Sequence, residues 1–168
     1  MNTTINRAVF LDFDGVLFDT VREVYAVSMI SLDRSNRISD IDFGSKHFEK
    51  FNQLRYLVGP AWNYYYVMKA IEEGPSTHEL EIEYKSLIDQ QTEGEYCSFE
   101  KKFFQTRQQL REKEHHHWLS MVFPYNIVED LRIIMRKFKE HFFLVTTRDR
   151  ESVKDLMDLH NMDILDSN

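Results

Sequence analysis

One cysteine, Cys97, stands in the 168 residues, so no disulfide can form within the chain, which fits a reducing compartment. There is no apolar run near the roughly 18 residues of a membrane span. Residues 1–7 are polar, and the apolar run after them, about five residues, is too short for a signal-peptide core. The expectation is a soluble, cytoplasmic protein. There is also no excess of positive charge: 21 basic side chains face 28 acidic ones, for a net charge of -7. A surface of that sign has no electrostatic attraction for nucleic acid or an anionic membrane, so neither is expected as a partner. A phosphate ester would need its charge met locally, by a metal ion, backbone N–H groups or a few basic side chains. No internal repeat and no low-complexity linker interrupts the chain. What is present is a globular balance, 42% hydrophobic and 29% charged, at a length that suits one domain or a compact core with an inserted subdomain. Aromatic residues reach 14%, so rings are expected to build much of the core.

Ala8-Val9-Phe10-Leu11 is a continuous apolar run, as in a strand of a parallel sheet buried on both faces. Asp12, Asp14 and Gly15 follow at once, and Gly15 permits a sharp turn. From about Asp19 to Ser120 helical spacing takes over. Val21, Val24, Tyr25 and Ser28 share one face, then a polar loop covers 35–45, then Phe48, Phe51, Leu54 and Leu57 follow helical spacing. Pro60 is expected to open the next helix, and Ser76-Thr77-His78-Glu79 reads as a capping box. One long helix is expected from Phe99 to about Trp118. After Phe123-Pro124, Ile127, Leu131, Ile134 and Phe138 predict the apolar face of a helix, and Phe142-Phe143-Leu144-Val145 a second buried strand. A helix over 151–160 and a short third strand at Ile164-Leu165 complete the pattern. Strand, helical insert, helix, strand, helix is an α/β arrangement, in which ligands sit at the carboxyl ends of parallel strands. Asp12, Asp14 and Thr146 all occupy such ends.

Two carboxylates spaced i, i+2 past a strand can turn into one pocket, where their repulsion calls for a shared proton or a hard cation. Mg²⁺ suits carboxylate and phosphate oxygens. Acidic pairs also occur at strand ends as plain solvated turns, and receiver domains cluster acids there, but without a helical insert of this size. Asp12-Phe13-Asp14-Gly15-Val16 after an apolar strand resembles the first motif of the haloacid dehalogenase superfamily, and Thr146 after Phe142–Val145 resembles the second. The resemblance implies a HAD-like Rossmannoid core over 1–19 and 120–168, with an inserted α-helical cap over 20–119 serving as a lid, as in phosphoglycolate-phosphatase-like and β-phosphoglucomutase-like members. It implies a phosphohydrolase acting on a small phosphorylated metabolite. Asp12 would be the nucleophile and Asp14 the acid and base. Thr146, Thr147 and Arg148 would bind the phosphoryl group. Mg²⁺ would be held by the Asp12 carboxylate and the backbone carbonyl of Asp14.

The family pattern goes on to a lysine that neutralises the aspartyl-phosphate and to an acidic residue or pair after a fourth strand. Lys154 is the lone lysine after Thr146 and stands early in the next helix, while Asp163 and Asp166 flank the candidate third strand. The resemblance therefore covers two of four motifs, with the parallel sheet incomplete toward the C-terminus. Three readings stand side by side: a truncated phosphatase, a short member that binds phosphate or a partner chain without catalysis, and a site completed by a second chain. In the family the fourth strand lies beside the first, so the 8–11 strand is expected to present an open apolar edge and to promote self-association. Elsewhere, His115-His116-His117 points in three directions on a helix and makes a poor chelator. Trp62 and Tyr64–Tyr66 are expected to pack the cap core, and Arg55 and Lys69 to be surface charges.

Overall fold

The computed structural model describes residues 8–73, 77–91, 93–138 and 141–162. It is a mixed α/β chain, mostly helical, with a two-stranded parallel sheet. It divides into two compact units: Met1–Thr20 with Val122–Asn168, and Val21–Met121.

The first unit carries the strands. Val9–Leu11 (β1) pairs in parallel with Phe142–Leu144 (β4), Val9 opposite Phe142, Phe10 opposite Phe143 and Leu11 opposite Leu144. A single tight turn follows β1: the N–H groups of Leu17 and Phe18 both donate to the Phe13 carbonyl at 3.1 Å, and Gly15 N–H donates to the Phe18 carbonyl at 2.8 Å. Gly15 takes φ +83 there, a conformation other residues adopt at a cost. Phe18–Asp19 (β2) then pairs antiparallel with Phe123–Pro124 (β3), two strands too short to leave a periodic signature. The whole helical unit is inserted between them in sequence.

Helix Ile127–Phe138 (α7) forms where apolar spacing predicts one, but the expected face is not the one covered. Val128 and Met135, seven residues apart, are buried, while Ile127, Ile134 and Phe138 are exposed. Helix Arg150–Leu159 (α8) begins at Asp149, whose carboxylate accepts from Ser152 N–H at 2.9 Å and from its hydroxyl at 2.8 Å. This is an N-cap that satisfies an orphan helix donor. Leu156 and Met157 on α8 are buried. The expected third strand at Ile164-Leu165 lies outside the described residues, as does Ser76 of the expected capping box.

The helical unit contains Val21–Ser31 (α1), Lys46–Leu54 (α2), Asn63–Glu73 (α3), Thr77–Asp89 (α4), Glu93–Lys113 (α5) and His115–Leu119 (α6). Ser45 caps α2 by accepting from Phe48 N–H at 3.2 Å. Pro60 does not open α3; its carbonyl accepts from Asn63 N–H, so it sits in the turn just before. The predicted continuous helix from Phe99 to Trp118 is two helices. The chain breaks at Glu114 (φ -126, ψ 38), where no glycine or proline announces it. Among these helices, α3 packs on α4 and α1 on α5. The core is built from rings: Phe51 stacks on Tyr64 at 5.7 Å, and Tyr64 on Phe103 at 5.5 Å. Each such ring fully withdrawn from water contributes roughly 1.5–3 kcal/mol. Arg55 and Lys69 lie over the rings of Tyr64 and Tyr65, at 5.5 and 5.6 Å.

Into this core the sequence places a charge. Phe99, Phe103, Arg107 and Leu110 share the buried stripe of α5. Arg107 meets Glu23 of α1 through Nε–H to Oε1 at 2.7 Å and Nη2 to Oε2 at 3.2 Å. The Trp118 indole N–H adds a third bond to Glu23 Oε1 at 3.2 Å. Guanidinium and carboxylate are 6% and 0% exposed, so pairing is what makes their burial tolerable.

Candidate active site

The two parallel strands decide which loops meet. Val145 N–H donates to the Leu11 carbonyl at 2.9 Å, one step past the last paired residues. Register therefore sets Asp12 level with Val145, with Thr146 one residue beyond. The sequence-predicted residues Asp12, Asp14, Thr146, Thr147 and Arg148 thus share the carboxyl end of one two-stranded sheet, within one compact unit.

Asp12 is exposed, and its Oδ1 accepts from the N–H of Phe13 at 2.7 Å. That bond fixes one carboxylate oxygen at the mouth of the turn. Phe13 itself is fully buried and anchors the turn from below. The turn carries Asp14 back toward the second strand end. There its carboxylate meets Arg148: Nη2 to Oδ1 at 2.9 Å, Nε to Oδ1 at 3.1 Å and Nε to Oδ2 at 3.3 Å. The Arg148 side chain is 0% exposed and that of Asp14 20%. Its guanidinium also lies over the Phe13 ring at 5.6 Å. Charge-assisted bonds of this forked kind are the stronger class of hydrogen bond and fix orientation as well as distance.

Thr146 is half-buried, and its Oγ1 accepts from the Arg148 backbone N–H at 3.1 Å. With a lone pair engaged inward, the hydroxyl proton remains suited to donation. Thr147 is exposed. Arg148, expected at the phosphate, instead directs its guanidinium at Asp14; sequence spacing places it at the site but not on that partner. Among the described residues no group of three or more His, Cys, Asp or Glu is arranged to hold a metal ion, the His115–His117 run included. The oxygens that the sequence reading assigns to a hard cation, the Asp12 carboxylate and the Asp14 backbone carbonyl, both follow β1 in the chain. Mg²⁺ commonly takes one or two carboxylates and completes its shell with water and substrate phosphate. No helix among the described residues is long and apolar enough to cross a membrane. No family model matches the chain, and no curated protein and no solved structure matches it.

Proposed function

We propose that this chain is a Mg²⁺-dependent phosphohydrolase of HAD type, with a HAD-like Rossmannoid core and a helical cap, acting on a small phosphorylated metabolite. One observation carries the reading: a parallel strand pair brings Asp12, Asp14 and Thr146 to the same sheet end, with the mostly helical unit Val21–Met121 inserted between the two strands. Asp12 attacks phosphorus, and the P–O bond to the leaving group breaks as Asp14 hands that oxygen a proton. Water then attacks the aspartyl-phosphate, gives its proton to Asp14 and releases phosphate, restoring Asp12. The Thr146 hydroxyl and the Thr147 backbone N–H donate to the phosphoryl oxygens. The Asp12 carboxylate and the Asp14 carbonyl would hold Mg²⁺, which when bound neutralises phosphoryl charge.

A second reading is favoured by a specific observation. The Asp14 carboxylate is gripped by Arg148, and no third carboxylate joins the pair among the described residues. On that reading the chain is a non-catalytic HAD-like protein that binds phosphate or a partner chain. Hydrolysis of an aryl phosphate with Mg²⁺ separates the two. Turnover well above that of Asp12→Asn supports the enzyme; turnover equal to it removes catalysis from this chain.

A further inference from the structure

The fork on Asp14 decides more than where that carboxylate sits. All three hydrogen bonds come from one cation, and both oxygens accept: Oδ1 from Nη2 and Nε of Arg148 at 2.9 and 3.1 Å, Oδ2 from Nε at 3.3 Å. A carboxyl group that carries a proton uses one oxygen as a donor, and here each oxygen faces an N–H donor. Asp14 therefore stands as the ionised carboxylate, ready to accept a proton and poorly placed to give one. The Arg148 side chain is 0% exposed, so water does not compete for the guanidinium. The other predicted side chains at this sheet end do not replace Asp14 as an acid. Asp12 carries the phosphoryl group in the proposed reaction, the hydroxyls of Thr146 and Thr147 are far too weakly acidic, and a guanidinium does not lose its proton in a protein.

We propose, on the phosphohydrolase reading above, that the substrate is a phosphoryl compound whose leaving group departs as a stable anion, an acyl phosphate or a phosphoanhydride, and that Arg148 sets this preference by holding Asp14 as a base. In the first step an Asp12 oxygen bonds to phosphorus and the bond from phosphorus to the bridging oxygen breaks. The electron pair leaves on a carboxylate or a phosphate, which needs no proton. In the second step the oxygen of water bonds to phosphorus and the aspartyl oxygen–phosphorus bond breaks. Asp14, 20% exposed, takes the proton of that water and yields it to solvent. The products are the leaving anion, phosphate and one proton. An alkyl phosphate must instead release an alcohol, and its oxygen needs the proton that the fork withholds. Arg148 is thus a positioning residue, acting through Asp14 rather than on the substrate.

Turnover of acetyl phosphate, pyrophosphate and glycerol phosphate with Mg²⁺, each corrected for the rate with Asp12→Asn, tests this. An effective acid levels such leaving groups; its absence is worth roughly a hundredfold or more, so kcat/KM for acetyl phosphate or pyrophosphate is expected to exceed that for glycerol phosphate by that factor. The faster of the first two tells an acyl phosphate from an anhydride. In Arg148→Met, glycerol phosphate should gain on the faster substrate by roughly tenfold or more, because the cation that favours the ionised carboxylate is gone. A merely structural loss slows all three alike and leaves their ratio unmoved. If Arg148→Met loses its circular-dichroism signature, the wild-type ratio still decides. Glycerol phosphate turned over as fast as acetyl phosphate and pyrophosphate, or a ratio unmoved in folded Arg148→Met, overturns the preference and leaves the phosphohydrolase reading standing. No turnover of any of the three above Asp12→Asn overturns both.

Discussion

Replacing Glu23 by leucine is expected to be among the most destabilising single changes in the helical unit. The carboxylate is 0% exposed and accepts three hydrogen bonds, two from Arg107 and one from Trp118. Glu23→Leu takes the carboxylate from a guanidinium that is itself 6% exposed. Breaking a buried pair from one side costs about 3–5 kcal/mol, because the remaining charge stays desolvated. Whole domains are stable by only about 5–15 kcal/mol, so one substitution removes roughly a fifth of the margin or more. The double variant Glu23→Leu/Arg107→Met keeps the volume and removes both charges, and by the same reasoning costs less than either single change. Urea unfolding followed by tryptophan fluorescence reads this out directly, since both tryptophans, Trp62 and Trp118, lie in the helical unit. A cost below about 1 kcal/mol for Glu23→Leu, or a double variant as costly as the two singles summed, would refute the reasoning.

Gly15→Ala tests the turn after β1. A Cβ there meets nothing within 4 Å, so the cost is the backbone conformation alone, roughly 1–2 kcal/mol, and a thermal melt of the variant indistinguishable from wild type would contradict the geometry. Acid sensitivity should trace to histidine. Burial, helped by the charge of Arg34, pushes the His47 imidazole below its usual value, and burial does the same to His160. As pH falls below about 6.5 the unfolded chain takes up these protons before the folded one does, so stability is held above that pH and lost on acidification through the window below it. His47→Gln should flatten the decline of the melting temperature between about pH 7 and 5; an unchanged slope would assign the sensitivity elsewhere.

How much of this was legible in the sequence depends on the range of the forces involved. Both parallel strands announce themselves as uninterrupted apolar runs, and the residues just past them, Asp12 and Thr146, could be placed at strand ends before any pairing was known. The helix expected over 151–160 likewise forms, as α8. Local rules failed where a distant partner decided the outcome. Nothing near Asp14 says that its carboxylate meets Arg148, 134 residues on. The break at Glu114 carries no breaker residue; the tryptophan beyond it reaches Glu23, 95 residues back. In α7 the apolar positions outnumber those the fold covers, so periodicity alone chose Ile134 and Phe138 as core, whereas the covered side runs through Val128 and Met135. The sequence reading saw in α5 only a helix and missed that Arg107, on its apolar stripe, meets a buried carboxylate 84 residues away.

The proposal that Asp12 is a phosphorylated nucleophile is tested most directly by acid-quenching the chain during turnover of an aryl phosphate with Mg²⁺ and mapping the product peptides by mass spectrometry. A phosphoryl adduct on the peptide that holds Asp12, absent from Asp12→Asn, is the predicted result. Turnover with no adduct on that peptide, or an equal adduct in the Asp12→Asn protein, would contradict it.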